Sequence, residues 1–300
     1  MDIAVTGASG FLGSALCSFL ASRGHHVIRV VRRDLRLGES AIRWHPDTGD
    51  IDAAGLGEVD AVVHLAGEDI AGYWSAAKKR RILESRVDGT ALISRTLASL
   101  GPRPGGARIL IAASGIGYYG DRGDEALAEE SPPGNGFLAD VCKQWEAATA
   151  PAAEAGVRVV RLRTAMVLGK GGALEKLLPV FKGGLGGPLG AGQQIWSWIA
   201  LADYLRLVLF ALETPALTGP VNASAPGAVR NADFTRTLGR VLHRPAIFPV
   251  PRMAARLVLG EFAESLYSSA NAVPGALQAA GFSFDLPELE SALRHGLEPA

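Results

Sequence analysis

Cysteine is nearly absent. Cys17 and Cys142 are the only two in 300 residues, too few for a disulfide framework and without the spacing of metal ligands. A reducing, cytoplasmic setting is the expectation that follows. Neither sign of charge is in excess, with 30 Lys plus Arg against 30 Asp plus Glu. A chain without a basic surplus cannot neutralise a phosphate backbone in general, so nucleic acid is not expected as a partner, although a local basic patch remains open. No apolar run approaches the roughly 18 residues of a membrane span, which removes the membrane as well. Met1 to Val5 runs directly into a glycine turn with no positive segment ahead of an apolar stretch, so no secretory leader is read there. The six histidines are scattered, and no metal is expected. Repeats, low-complexity tracts and long charge runs are missing too. What is plentiful is apolar residue, 48% of the chain, and glycine, at 37 residues spread along its length. That composition fills a sizeable core in one large or two modest domains.

The first 35 residues carry the most information. Asp2 to Thr6 is a short apolar run, Gly7-Ala8-Ser9-Gly10 breaks it, and Phe11 to Arg23 has helical periodicity through Phe11, Leu12, Leu16, Phe19 and Leu20. Gly24 stops that helix, and Val27 to Val31 is a second, β-branched run. Strand, turn, helix, strand makes a βαβ unit with parallel strands. Further apolar runs follow at 61–65, 109–113 and 157–162, separated by helix-like stretches at 76–100 and 138–155. Continuously apolar strands alternating with helices predict an α/β fold: a doubly wound parallel (Rossmann) sheet covered on both faces. After Leu168 the alternation stops. Residues 169–192 are glycine-rich, 193–199 reads as one short strand, and helices are predicted at 201–212, 232–242, 253–259 and 286–297. The expectation is a nucleotide-binding domain over 1–168 and a smaller, mixed C-terminal substrate lobe over 169–300, with part of its helices returning to the main domain.

Gly7-x-x-Gly10-x-x-Gly13 lies between a strand and a helix, the context that gives such a match meaning. Gly7 permits the tight turn, Gly10 lets main-chain amides approach a pyrophosphate, and Gly13 lets the helix sit close to the sheet. The helix beyond offers unpaired N–H groups and the positive end of its dipole. A dinucleotide is the ligand this pattern predicts. An acid at the end of the second strand would bind the ribose 2′-hydroxyl of NAD, whereas arginine suits the 2′-phosphate of NADP. The strand ends Val30-Val31-Arg32-Arg33-Asp34. Two adjacent guanidiniums, Arg32 and Arg33, favour NADP.

Thr6-Gly7-Ala8-Ser9-Gly10-Phe11-Leu12-Gly13 resembles the N-terminal signature of the extended short-chain dehydrogenase/reductases. His64-Leu65-Ala66-Gly67, Ser114 with Tyr118-Tyr119-Gly120, and Arg163-Thr164 with Val167-Leu168-Gly169 resemble later motifs of the same superfamily. More narrowly, the chain is similar to an atypical subgroup of nucleoside-diphosphate-sugar epimerases with a C-terminal extension. Leu65 to Ile70, Glu129 to Pro133, Trp145-Glu146, Ser197-Trp198-Ile199, Asn222-Ala223 and Ala280-Gly281-Phe282 carry that match, which runs over nearly the whole chain. The resemblance implies cofactor contacts from Gly7, Ser9, Gly10, Phe11, Leu12, Gly13, Leu65, Ala66, Gly67 and Lys143, beside Arg32 and Arg33. Homologous enzymes pair through sheet-flanking helices, so a homodimer is expected by analogy.

The superfamily's Tyr-x-x-x-Lys pair is incomplete. Four residues ahead of Lys143 stands Ala139, which has no proton to give, and Phe137 has no hydroxyl. The candidates left for the chemistry are Ser114, Tyr118, Tyr119 and Lys143. A phenol of Tyr118 or Tyr119 could face the nicotinamide or simply pack under a loop; Lys143 could keep a ribose contact or be a solvated helix lysine. Ala200 stands where the family's Trp-Ile-His-x-x-Asp segment has histidine, and Asp203 is expected to cap the helix that follows. His64 is read as a hydrogen-bonded structural residue. Trp74, with Lys78, Lys79, Arg80 and Arg81, could cradle an anionic substrate or start a solvated helix beside a packed indole. The function implied is an NADP-dependent oxidoreductase or epimerase acting on a carbinol or carbonyl carbon of a small molecule, with a nucleotide sugar as the family's substrate. The alternatives are an NADPH-dependent reductase of a small carbonyl compound and a non-catalytic NADP sensor or scaffold.

Overall fold

The computed structural model describes residues 1–36, 38–101 and 108–298. The chain opens with the expected unit: β1 (Asp2–Thr6), α1 (Phe11–Ser22) and β2 (His26–Val31). Two strands that the apolar pattern did not announce come next, β3 (Ala41–His45) and β4 (Asp50–Ile51), then α2 (Ala53–Gly57) and β5 (Ala61–His64). In β3 only Ile42 and Trp44 are buried, so it is a half-buried, alternating strand rather than a continuous apolar run. The long α3 (Ala76–Leu100) precedes β6 (Ile109–Gly115). The Ser75 hydroxyl caps α3 by accepting the amide of Lys78 at 3.1 Å.

A single 3-10 turn, Ile116–Tyr119, leads to β7 (Ala126–Leu127), α4 (Phe137–Ala147), α5 (Ala150–Glu154), β8 (Arg158–Thr164) and β9 (Met166–Leu168). The stretch 138–155, expected as one helix, is therefore two, with Pro151 in the first turn of the second. The C-terminal half contains α6 (Gly172–Lys182), β10 (Ile195–Trp196), β11 (Trp198–Ala200), α7 (Leu201–Glu213) and β12 (Gly219–Ala223). It ends with β13 (Val229–Arg230), α8 (Asn231–Val241), α9 (Arg252–Leu259), α10 (Phe262–Tyr267), β14 (Asn271–Ala272), α11 (Gly275–Ala279) and α12 (Leu289–Leu297). The segment 193–199 is two strands, not one: β10 pairs antiparallel with β13, and β11 pairs parallel with β9.

Eight strands form the central sheet in the order β12-β8-β6-β5-β1-β2-β3-β4. Every neighbouring pair is parallel except β3 and β4. One face is closed by α1 and α7 over Leu16, Leu20, Leu207, Val208 and Val221. The other is closed by α3 over Trp44, Leu92, Ile93, Leu97 and Leu110. The strand order reverses at β1, which lies between β5 and β2, and an open α/β sheet binds ligands in the crevice outside that point. After β9 the alternation does return: β12 adds an edge strand beside β8, and α7 joins the α1 layer. A separate cluster around Trp198, Phe234, Leu289 and Leu293 forms the core of the C-terminal half. Among the described residues no helix is long and apolar enough to cross a membrane.

Candidate functional site

At the end of β1 the chain turns with Gly7 at φ +65°, a left-handed conformation that glycine adopts without strain. A Cβ on Gly7 would lie 3.0 Å from the backbone of Leu65 and Ala66, and one on Gly13 would lie 2.1 Å from the Gly7 carbonyl oxygen. Both positions are closed to any larger residue. The amide of Gly10 closes the turn on the Gly7 carbonyl at 2.9 Å. Gly10 is the N-cap of α1, no side chain caps the helix, and its first turn holds no acid. The first amides of α1 are thus left for an anion. A cavity of about 560 Å³ opens over this turn, between Ser9, Gly10 and Phe11 on one side and Lys170, Gly171 and Gly172 on the other. A shallow glycine cradle, uncapped amides and a neighbouring lysine suit a diphosphate, so the residues present fit a dinucleotide.

Beneath the turn, Thr6 ties β1 to the end of β5. Its hydroxyl oxygen accepts the amides of Leu65 and Ala66, both at 3.1 Å, and lies 2.7 Å from His64 Nδ1. With the oxygen already accepting two amides, the hydroxyl proton goes to Nδ1, and Nε2 carries the imidazole proton. His64 is completely buried, and desolvation, with the Arg86 charge behind it, pushes its pKa down to about 4. The imidazole is neutral and holds the Leu65-Ala66-Gly67 turn against Gly7, in line with a structural reading of this histidine.

At the tip of β2, Arg32 is exposed and pairs with none of the described residues. Arg33 meets Glu39: Nη1 donates to one carboxylate oxygen at 2.8 Å and Nη2 to the other. The Glu39 carboxyl is held down at about 2 by these bonds from Arg33 and by the Arg36 amide.

The opposite end of the crevice is a buried polar network. Ser114, near the end of β6, donates to Glu146 Oε1 at 2.8 Å. Arg163 on β8 grips the same carboxylate in a bidentate pair, Nε to Oε1 at 2.8 Å and Nη2 to Oε2 at 2.9 Å. Desolvation alone would lower the Arg163 pKa, but the Glu146 bonds outweigh it and push it up. Arg163 Nη1 also donates to the Tyr119 hydroxyl at 3.0 Å and to the Glu129 carbonyl at 2.9 Å. Tyr119, fully buried, donates in turn to Asn222 Oδ1 at 2.7 Å, and desolvation raises its pKa. Asn222 completes the set: its side-chain amide donates to the carbonyls of Leu127 and Val273, and its backbone amide donates to Glu129.

Tyr118 differs from its neighbour. It is half-buried, and its ring lies under the Arg163 guanidinium at 3.5 Å and edge-on to Tyr119 at 5.3 Å. Its hydroxyl bonds to none of the described residues. Lys143 lies on the solvent side of α4, its side chain 41% exposed and paired with Asp140. The inward stripe of that helix is Ala139, Cys142 and Glu146. Cys142 is buried beside Ser114 and Gly115, and desolvation, followed by the Glu146 charge, raises its thiol to about 11, so it is an inert packing residue. The four sequence candidates therefore separate. Ser114, Tyr118 and Tyr119 gather around Arg163, and Lys143 stands apart.

Other expectations resolve with them. Asp203 does not cap α7, whose N-cap is Ala200. Its buried carboxylate accepts the amides of Asp285 and Leu286 at 2.9 Å each and pairs with Arg206. It ties α7 to the segment before α12. Trp74 is packed between Phe137 and Phe262 with its indole N–H on the Ile70 carbonyl. The cations beside it all have acidic partners: Lys78 and Arg81 on Glu68, Lys79 on Glu261, Arg80 on Glu84. Among the described residues no group of His, Cys, Asp or Glu could hold a metal. Sequence reasoning did not weigh Glu146, Arg163 and Asn222 as a site. The signal was there in ionisable residues at core positions, since an acid on the apolar stripe of a helix needs a buried partner.

Residues 3–223 match the model of the NAD dependent epimerase/dehydratase family, and residues 250–296 match a domain of unknown function, DUF1731. The chain is 43% identical to an epimerase family protein of Mycobacterium bovis over 285 residues, 94% of this chain and 93% of that protein. It superimposes on the human epimerase family protein SDR39U1, solved with NADPH, with a TM-score of 0.87 at 31% identity over 99% of both chains. The nucleoside-diphosphate sugar epimerase of Corynebacterium glutamicum gives a TM-score of 0.80 at 35% identity, covering 99% of this chain and 58% of that one.

Proposed function

The chain belongs to the NAD dependent epimerase/dehydratase family, and on that premise we propose that it binds NADP(H) and interconverts a carbinol and a carbonyl carbon of a small molecule, a nucleotide sugar in the first instance. When bound, that cofactor supplies hydride exchange at carbon. The uncapped amides of Phe11, Leu12 and Gly13 hold its diphosphate, with Ser9 beside them and Lys170 across the cavity. The turn through Leu65, Ala66 and Gly67 supports its ribose side, and Arg32 and Arg33 meet its 2′-phosphate. The preference for NADP over NAD rests on that arginine pair and agrees with the human relative solved with NADPH.

The observation that carries the chemical half of the proposal is Tyr118. Tyr119 spends its hydroxyl on Asn222 and Arg163, and Ser114 spends its proton on Glu146. Tyr118 alone of the three keeps an unengaged phenol, with its ring fixed by Arg163. It is the group able to pass a proton to or from a substrate oxygen. Ser114, its own proton committed inward, acts by accepting a hydrogen bond from the substrate hydroxyl.

The test is to mix the protein with NADP(H) and a panel of sugar nucleotides and small carbonyl compounds. Sugar isomerisation without net cofactor consumption, abolished in Tyr118→Phe while NADPH still binds, supports the proposal. Turnover that survives Tyr118→Phe overturns the role of the phenol. A second reading, cofactor binding without turnover, is favoured by Ala139 on the inward face of α4, where a phenol would have to stand. Tight NADPH binding with no turnover across the panel would establish it.

A further inference from the structure

The glutamate that grips Arg33 has no role in the account above. Arg33 presents its two terminal nitrogens to the two oxygens of Glu39, fork to fork, and Nη1 also donates to the Asp34 carbonyl at 3.0 Å. The Arg36 amide donates to the same carboxylate at 3.0 Å, so Glu39 is anchored from two sides. Nε and the second hydrogen of Nη2, the side-on edge of the guanidinium, are left for another acceptor. Arg32, one residue before it, pairs with none of the described residues. While the Glu39 pair persists, a phosphate cannot take the end-on fork of Arg33 and can reach only its side-on edge, beside a carboxylate of like charge. A phosphate monoester brings about −1.5 to −2 charge and three acceptor oxygens against the single charge of a carboxylate, so it can win the exchange.

We propose that Glu39 is a resident competitor for the 2′-phosphate: it occupies Arg33 in the free protein, is displaced when NADPH binds, and thereby limits the preference for NADPH over NADH. This rests on the cofactor reading given above. Arg32 makes the first contact, and Arg33 follows once its carboxylate lets go. Because the Glu39 carboxyl is held down at about 2, it stays charged and the competition is constant through the neutral range. NADH lacks the 2′-phosphate and gains nothing from the exchange.

Affinities of wild type and Glu39→Gln for NADPH and NADH, titrated by nucleotide fluorescence at low and high salt, decide the matter. Arg33 is exposed and Glu39 is partly so, and the isosteric variant keeps the fold, which circular dichroism checks. Glu39→Gln tightens NADPH about threefold to fivefold, the scale of an exposed ion pair, and shifts NADH by less than about twofold. The gain shrinks at high salt and is lost when Arg33→Met is added. Unchanged or weakened NADPH binding, the mark of a glutamate that merely pre-orients Arg33, overturns the proposal. So does an equal gain for NADH. A wild-type protein that binds neither nucleotide overturns the cofactor reading itself, a result distinct from either.

Discussion

Mild acid should weaken the fold through one side chain. His64 is completely buried, with Thr6 on Nδ1, no partner for Nε2 among the described residues and the Arg86 charge nearby. Its pKa is about 4 in the folded chain, against 6.5 for an ordinary imidazole. Between these values the unfolded chain holds more protons than the native one. Stability from the neutral ring is therefore complete above 6.5 and drains away as pH falls toward 4. The gap corresponds to about 3 kcal/mol by pH 4, with about 2 kcal/mol of it lost between pH 7 and pH 5. That is a large share of a stability of roughly 5–15 kcal/mol. The assay is urea unfolding at both pH values at fixed ionic strength, for wild type and His64→Asn, which keeps an acceptor for the Thr6 hydroxyl but cannot titrate. Wild type loses about 2 kcal/mol more than the variant on acidification. Equal losses in the two proteins would refute the reasoning, as would an imidazole resonance in the folded protein titrating near its ordinary value.

Gly13→Ala puts a Cβ 2.1 Å from the Gly7 carbonyl oxygen, so the turn must open and NADPH affinity falls by more than about tenfold in a fluorescence titration, an overpacking cost of about 1–3 kcal/mol. Arg163→Met leaves the Glu146 carboxylate buried without its partner and lowers the unfolding free energy by about 3–5 kcal/mol in urea. Tyr119→Phe strands Asn222 Oδ1 and costs about 1–3 kcal/mol in the same measurement, with NADPH affinity unchanged within about twofold. Lys143→Ala removes an exposed pair with Asp140 and changes NADPH affinity by less than about twofold; a larger loss would bring the ammonium into the site.

Main-chain requirements were the legible part of the candidate site. Gly7 and Gly13 are read correctly from spacing alone because the reasons for them, a positive φ and a missing Cβ, belong to the glycines themselves. The same holds for the parallel strands, whose continuous apolar runs show in a window of a few residues. β3 and β12 escaped that window: β3 alternates around Ile42 and Trp44, and β12 begins Gly219-Pro220, a pair that reads as a turn. Their places in the sheet come from pairing that a local window does not contain, Val31 with Arg43 across the loop between β2 and β3, and Leu162 with the distant Val221.

Side-chain direction was the hidden part, and α4 shows why. A Tyr-x-x-x-Lys spacing places its two residues on one helix face, so Ala139 and Lys143 looked like one face with its phenol deleted. In the fold Ala139 is buried, Lys143 is not, and the inward line runs through Cys142 to Glu146 at steps of three and four. The phase of a helix is set by what it packs against. Here that is Ser114 and the Arg163 guanidinium, which reach Glu146 from two different strands. The lost phenol is therefore not a single vacancy in an otherwise ordinary site. Arg163 has drawn an acid into the wall beside the crevice and turned the serine hydroxyl toward it. Its guanidinium also covers the ring of Tyr118, whose hydroxyl bonds to none of the described residues. Any proton chemistry in this chain has to be built around that arginine.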